Sequence, residues 1–127
     1  MSTNSEIRNA GLHHTKNFFV SQGYQVIDGN FIGYDYEIRK NDNSFFILVK
    51  STEKNNLSQR WLEKSQDDLR KKYPTKFLLV LVKNSPEEPF IYGIYSGKLL
   101  ENKTGRLVYH QYFDLSEPVM FDLQSLD

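Results

Sequence analysis

The sequence predicts an α+β domain, a mixed central sheet flanked by helices, and three observations carry that expectation. Residues 45–49 (Phe-Phe-Ile-Leu-Val) and 77–82 (Phe-Leu-Leu-Val-Leu-Val) are apolar throughout, as strands buried on both faces are. One amphipathic helical pattern precedes the first run and a second lies between the two, an alternation that covers a sheet with helices. Nine Phe, eight Tyr and one Trp among 127 residues suit half-buried sheet surfaces.

The first helix is predicted over residues 5–22. Thr3 and Glu6 have the spacing of a capping box, and Gly23 is a natural residue just past the end. Ile7, Ala10, Gly11, His14 and Phe18 form its apolar stripe, widened by Leu12, Phe19 and Val20. Residues 24–27 read as a short strand and 28–30 as a turn. Residues 31–39 read as the next strand, with Tyr34, Tyr36 and Ile38 on one face and Asp35, Glu37 and Arg39 on the other. A polar turn over 40–44 leads into the apolar strand 45–49, which ends at Lys50. The second helix is predicted over 57–73, with Trp61, Leu62, Ser65, Leu69 and Tyr73 on one side. Lys64–Asp68, Asp67–Lys71 and Asp68–Lys72 form charge pairs on the other. Strands follow at 77–82 and 90–95, then a β-rich stretch with candidate strands at 107–113 and 119–123. The order is α-β-β-β-α-β-β. We read one domain over 1–127, with a core at about 5–95 and a β-rich extension at about 96–127.

Composition removes several classes of function. Sixteen Lys and Arg balance sixteen Asp and Glu, so no global field gathers nucleic acid or anionic membrane, and such a role needs a local patch. With no cysteine, disulfide scaffolds and Cys-ligated metal sites are excluded. No apolar run approaches the roughly 18 residues of a membrane span. The N-terminal segment lacks a signal peptide's apolar stretch, so a cytoplasmic location is expected. There is no glycine-rich phosphate loop, no His-Glu-x-x-His and no nucleophile elbow.

Asp35 and Lys50 are the candidate chemical pair. If the hairpin loop is the four residues 41–44, Lys40 pairs with Phe45 and Asp35 lies directly opposite Lys50, both on one face. Gly33-Tyr34-Asp35, a hairpin, and then Phe46-Ile-Leu-Val-Lys50-Ser-Thr52 resemble the PD-(D/E)XK nuclease superfamily. The resemblance extends over about three quarters of the chain. It is nearest to small bacterial members with Gly-x-Asp followed by (Gln/Glu)-Val-Lys-Ser-Thr. It implies a restriction-endonuclease-like fold. It also implies a Mg²⁺ or Mn²⁺ ion held by Asp35, with Lys50 as the catalytic lysine that positions water and stabilises charge on the scissile phosphate.

The chain departs from that pattern where the metal should sit. The acidic or Gln position two before Lys50 is Leu48, which cannot bind a metal. The first helix carries Leu12-His13-His14 where many members carry a Glu. Substitute ligands are Glu37, on the same face as Asp35, then Glu53, Glu63, and His13 or His14 for a transition metal. A basic cluster of Arg60, Lys64, Arg70, Lys71, Lys72 and Lys76, interleaved with Glu63, Asp67 and Asp68, is a candidate phosphate-backbone contact, with Arg60, Lys64 and Lys71 foremost. The expected function is association with nucleic acid through a nuclease fold whose metal-dependent phosphodiesterase site is lost or rearranged. The alternative is a catalytically dead domain serving as an accessory or inhibitory protein-interaction module in a phage, plasmid or defence system. Nucleic acid, a protein partner and a second copy of the chain are the candidate partners, with no membrane.

Overall fold

The computed structural model describes residues 2–29, 32–53, 59–107 and 110–123. In chain order it contains α1 (Asn4–Ser21), β1 (Gln25–Asp28), β2 (Tyr36–Lys40), β3 (Asn43–Ser51), β4 (Gln59–Trp61), α2 (Lys64–Lys72), β5 (Phe77–Lys83) and β6 (Phe90–Ser96). A one-turn α3 (Gly97–Leu100), a 3₁₀ turn (Glu101–Lys103), β7 (Thr104–Leu107) and β8 (His110–Asp114) complete it. Five strands form the central sheet in the order β1-β2-β3-β5-β6, and β4-β8-β7 form a second, three-stranded sheet. Within the central sheet β3 and β5 run parallel and the other pairs antiparallel, so the sheet is mixed as predicted.

The capping box forms as the spacing predicts. The Glu6 N–H donates to Thr3 Oγ1, and the Thr3 N–H donates to Glu6 Oε1, each at 3.1 Å. The seam of α1 is Gly11, Thr15 and Phe19, spaced i, i+4, i+8, and Val20 is 54% exposed rather than part of it. A threonine sits in this seam at little cost because its hydroxyl donates to the Gly11 carbonyl at 2.7 Å. Gly11 is required by proximity. A Cβ there would lie 1.9 Å from Ser51 Oγ and 2.9 Å from Ser51 Cβ, so its absence lets α1 lie directly on β3.

The two sheet faces carry two cores. On the α1 side, Phe19, Tyr36, Ile38, Ile47, Val80 and Ile94 pack together. On the other, Leu48, Leu79 and Leu81 pack against Leu62, Leu100, Phe113 and Leu115. All seven residues of β5 are buried, which accounts for its unbroken apolar run. The free edge of β6 is partly covered by the chain beyond β8. There the Ile94 N–H donates to Val119 O and the Phe121 N–H to Ile94 O.

Several expectations need correction. The helix predicted over 57–73 begins only at Lys64, because residues 59–61 pair with β8 as a strand. Its start is fixed where the Glu63 N–H donates to Gln66 Oε1 at 2.9 Å, and its residues 57–58 lie outside the described residues. The single strand expected over 107–113 is two strands, β7 and β8, and the expected β-rich tail opens with α3, capped where Ser96 Oγ accepts from the Leu99 N–H. Residues 119–123 form only a bridge of Met120 to Ile94. The β2–β3 loop is Asn41-Asp42, not 41–44. It is shortened because Asn41 takes φ +55°, a left-handed conformation that asparagine tolerates. The register therefore sets Tyr36 opposite Ile47, and Asp35 does not pair with Lys50. The strand expected over 31–39 starts at Tyr36, which frees Tyr34 to turn its ring onto Phe46, on the face opposite Tyr36.

Two measurements test this packing. Gly11→Ala is expected to cost about 1–3 kcal/mol by overpacking, and Ser51→Gly in the same chain is expected to recover much of the loss, read as the coupling in a denaturation double-mutant cycle. Burial pushes the Tyr95 hydroxyl up to about 12 from an ordinary 10. The unfolded chain therefore ionises this group first, and native stability falls as pH rises between those values. Tyr95→Phe is expected to make that alkaline fall shallower in urea titrations across the same window.

Candidate functional site

β3 emerges from the sheet at Lys50-Ser51-Thr52, and the elements on either side begin close to that point. The N-terminal turn of α1 is held there because Ser85 Oγ donates to the Ile7 carbonyl at 2.6 Å. The ends of β3 and β5 are tied by Thr52 N–H to Val82 O at 2.9 Å and Ser85 N–H to Thr52 O at 3.0 Å. On the other side stands the start of α2. Gly33, at φ +91°, packs so closely on it that a Cβ would lie 2.8 Å from the Ser65 carbonyl oxygen. Between these walls lies an open cleft of about 950 Å³. Asp35, Lys50, Glu53, Glu63, Arg8 and Tyr34 line it, and the apolar Leu48 lies at its base.

Asp35 is the most constrained of these side chains, only 10% exposed. Its Oδ2 accepts the Val49 N–H at 2.7 Å, and its own N–H donates to Ile47 O at 2.8 Å. The carboxylate thus stands in for the backbone partner that β2 would supply had the strand begun earlier. Its Oδ1 accepts from Arg8 Nη2 at 2.6 Å. The Arg8 side chain is 58% exposed and faces the same cleft. Both carboxylate oxygens therefore already hold a donor, one of them cationic.

The structure brings some of the sequence-predicted residues together and leaves others apart. Asp35, Lys50, Glu53 and Glu63 line one cleft, although Asp35 and Lys50 do not form the direct cross-strand pair expected. Glu37 is not among the residues lining it. Its carboxylate accepts from Arg39 Nε at 2.5 Å; burial raises the Tyr34 hydroxyl's pKa, and the Glu37 charge adds to that in second place. Lys64 and Lys71 lie on α2 outside the cleft, paired with Asp68 at 3.1 Å and Asp67 at 3.0 Å. Arg60 lies on β4. Arg70 leaves the basic cluster altogether. It is 2% exposed, bonded to Asp67 and Glu101, and stacked 5.2 Å from the Phe113 ring centre. His13 lines a smaller neighbouring cleft of about 370 Å³ with Lys16, Asp28 and Tyr36, and Arg8 and Asp35 form the wall between the two.

The residues present do not fit a divalent cation at Asp35. A guanidinium occupies one oxygen, a backbone N–H the other, and the adjacent strand position is Leu48, 3% exposed in the second core. Among the described residues no group of three or more His, Asp or Glu is arranged to hold a metal ion. Arg8 is the site residue that the sequence reading missed. A signal for it existed, since Asn4, Ile7 and Arg8 share one face of the first turns of α1 by their i, i+3, i+4 spacing. Its partner, however, is 27 residues away. Among the described residues no helix is long and apolar enough to cross a membrane. No family model, curated protein or solved structure matches the chain.

Asp35→Ala is expected to destabilise the fold by about 1–3 kcal/mol, because the Val49 N–H loses its acceptor. Asp35→Asn keeps an acceptor oxygen and is expected to cost clearly less. Equilibrium denaturation of the two variants side by side checks this.

Proposed function

We propose that this chain is a nuclease-fold protein that associates with nucleic acid through the cleft at the end of β3 and does so without a catalytic metal. The observation that carries the reading is the Arg8–Asp35 pair beside Lys50 in an open cleft. Asp35 anchors the guanidinium by one N–H, which leaves its other donors for a phosphate, the ligand a planar guanidinium suits best. Lys50 supplies a second cation lining the same cleft. In the PD-(D/E)XK pattern a carboxylate at the Leu48 position would complete a metal site. Here that position is filled by a core leucine, which supports binding over cleavage.

The test is fluorescence anisotropy of a labelled oligonucleotide with the full chain in excess chelator. Binding is expected to persist without divalent ions and to weaken as salt rises. Arg8→Gln and Lys50→Gln are each expected to weaken it about three- to tenfold, the scale of one phosphate contact. Binding that appears only with Mg²⁺ or Mn²⁺, or that ignores both substitutions, would sink the reading.

A further inference from the structure

This inference rests on the nucleic-acid reading and names the form of nucleic acid the cleft takes. A row of rings runs from Tyr34 in the cleft wall toward the start of β3 and the end of α2. Tyr34, which lines both clefts, packs on Phe46 with centroids 4.9 Å apart, and Phe46 packs on Tyr73 at 5.2 Å, both pairs tilted by 54°. Tyr34 and Phe46 are half-buried, and Tyr73, at the end of α2, is 37% exposed. Lys72 Nζ lies 5.4 Å from the Tyr73 ring centre. Ile32 lines the main cleft and is 84% exposed, the most exposed large apolar side chain described. Tyr34 and Ile32 thus share the cleft with the two cations, and Phe46 and Tyr73 continue the row away from it.

Charge decides which nucleic acid such a surface suits. A duplex presents phosphates and hides its base faces, so binding it without sequence contacts depends on many cations. The cleft offers Arg8 and Lys50 against Asp35, Glu53 and Glu63, and the whole chain carries no net charge. That balance is poor for a duplex. A single strand also exposes the base faces, which stack on aromatic rings whatever the sequence. We propose that the cleft and the Tyr34–Phe46–Tyr73 row bind single-stranded nucleic acid, with bases packed on the exposed Tyr73 ring and on Ile32 and phosphates on Arg8 and Lys50.

The experiment compares a labelled oligothymidine with a duplex of the same length, using the full chain in chelator. The single strand is expected to bind about tenfold tighter. Tyr73→Ala is expected to cost the single strand about tenfold and the duplex less than twofold, while Tyr73→Phe, which keeps the ring, binds like wild type. If Tyr73→Ala does not fold, Ile32→Asp at an exposed position is expected to give a several-fold loss on the single strand. The slope of log affinity against log salt is expected to be shallow, about −1.4 for two phosphate contacts, and to lose about half in Arg8→Gln. Duplex binding equal to or tighter than single-strand binding overturns this inference and leaves the nucleic-acid reading standing. So does unchanged single-strand binding in the folded Tyr73→Ala or Ile32→Asp variant. No binding to either form overturns both and leaves the exposed Ile32–Tyr73 strip as a surface for a protein.

Discussion

The parallel pairing of β3 with β5 is the constraint on which the rest of the architecture depends. Two neighbouring parallel strands need a crossover between them, and both faces of the pair must then be covered. Here the crossover carries β4 and α2, and the faces are closed by α1 on one side and by α2, α3 and the β4-β8-β7 sheet on the other. The close seating of α1 on β3 follows from Gly11 against Ser51. The covering helices α1 and α2 both begin near the carboxyl end of β3, so their first turns flank the point where Lys50 emerges. The cleft is a by-product of that geometry, as ligand sites beyond the carboxyl ends of parallel strands commonly are.

Asp35 shows how one side chain can serve the fold and line the cleft at once. Because β2 starts only at Tyr36, that strand offers the Val49 N–H no backbone acceptor, and the Asp35 carboxylate supplies one. An ionised acceptor held against a backbone donor is also a fixed negative charge at the cleft wall, and Arg8 neutralises it. The same pair divides the larger cleft from the smaller one, so the two share a single electrostatic boundary. The function of the acid at this position is therefore not separable from its part in ending the hairpin.

What the sequence made legible was local or periodic. The Thr3–Glu6 capping box and the doubly buried strands follow from short-range spacing, whereas the parity of the hairpin entered only as a condition; the loop is even, and Asp35 and Lys50 line one cleft. The two-residue difference in loop length was not legible, because it depends on Asn41 accepting a left-handed backbone where a longer polar turn reads equally well. β4 was misread as helix for a different reason. Its three residues pair only with β8, more than fifty positions further on, and no periodicity within 57–73 reports so distant a partner. Arg70 failed in the same manner. Its charge suggests a solvated face, whereas Glu101 and the Phe113 ring, both remote in sequence, take it into the interior.

Leu48 ties the chemistry of the cleft to the second core. It is 3% exposed and packs with Leu62, Leu79, Phe113 and Leu115, residues drawn from the β3–β5 pair and from the layer laid over it. A carboxylate at that position would stand in an apolar core, where an uncompensated charge is strongly disfavoured. Leu48 lines the cleft and also belongs to this apolar cluster, and its core contacts favour a leucine over an acid. Once the acid is absent, Asp35 lacks a partner with which to share a divalent ion, and a guanidinium from the adjacent helix balances its charge with no second ligand. The apolar residue at position 48 and the arginine on Asp35 are thus the two features of this wall on which the proposed reading, phosphate held without cleavage, rests.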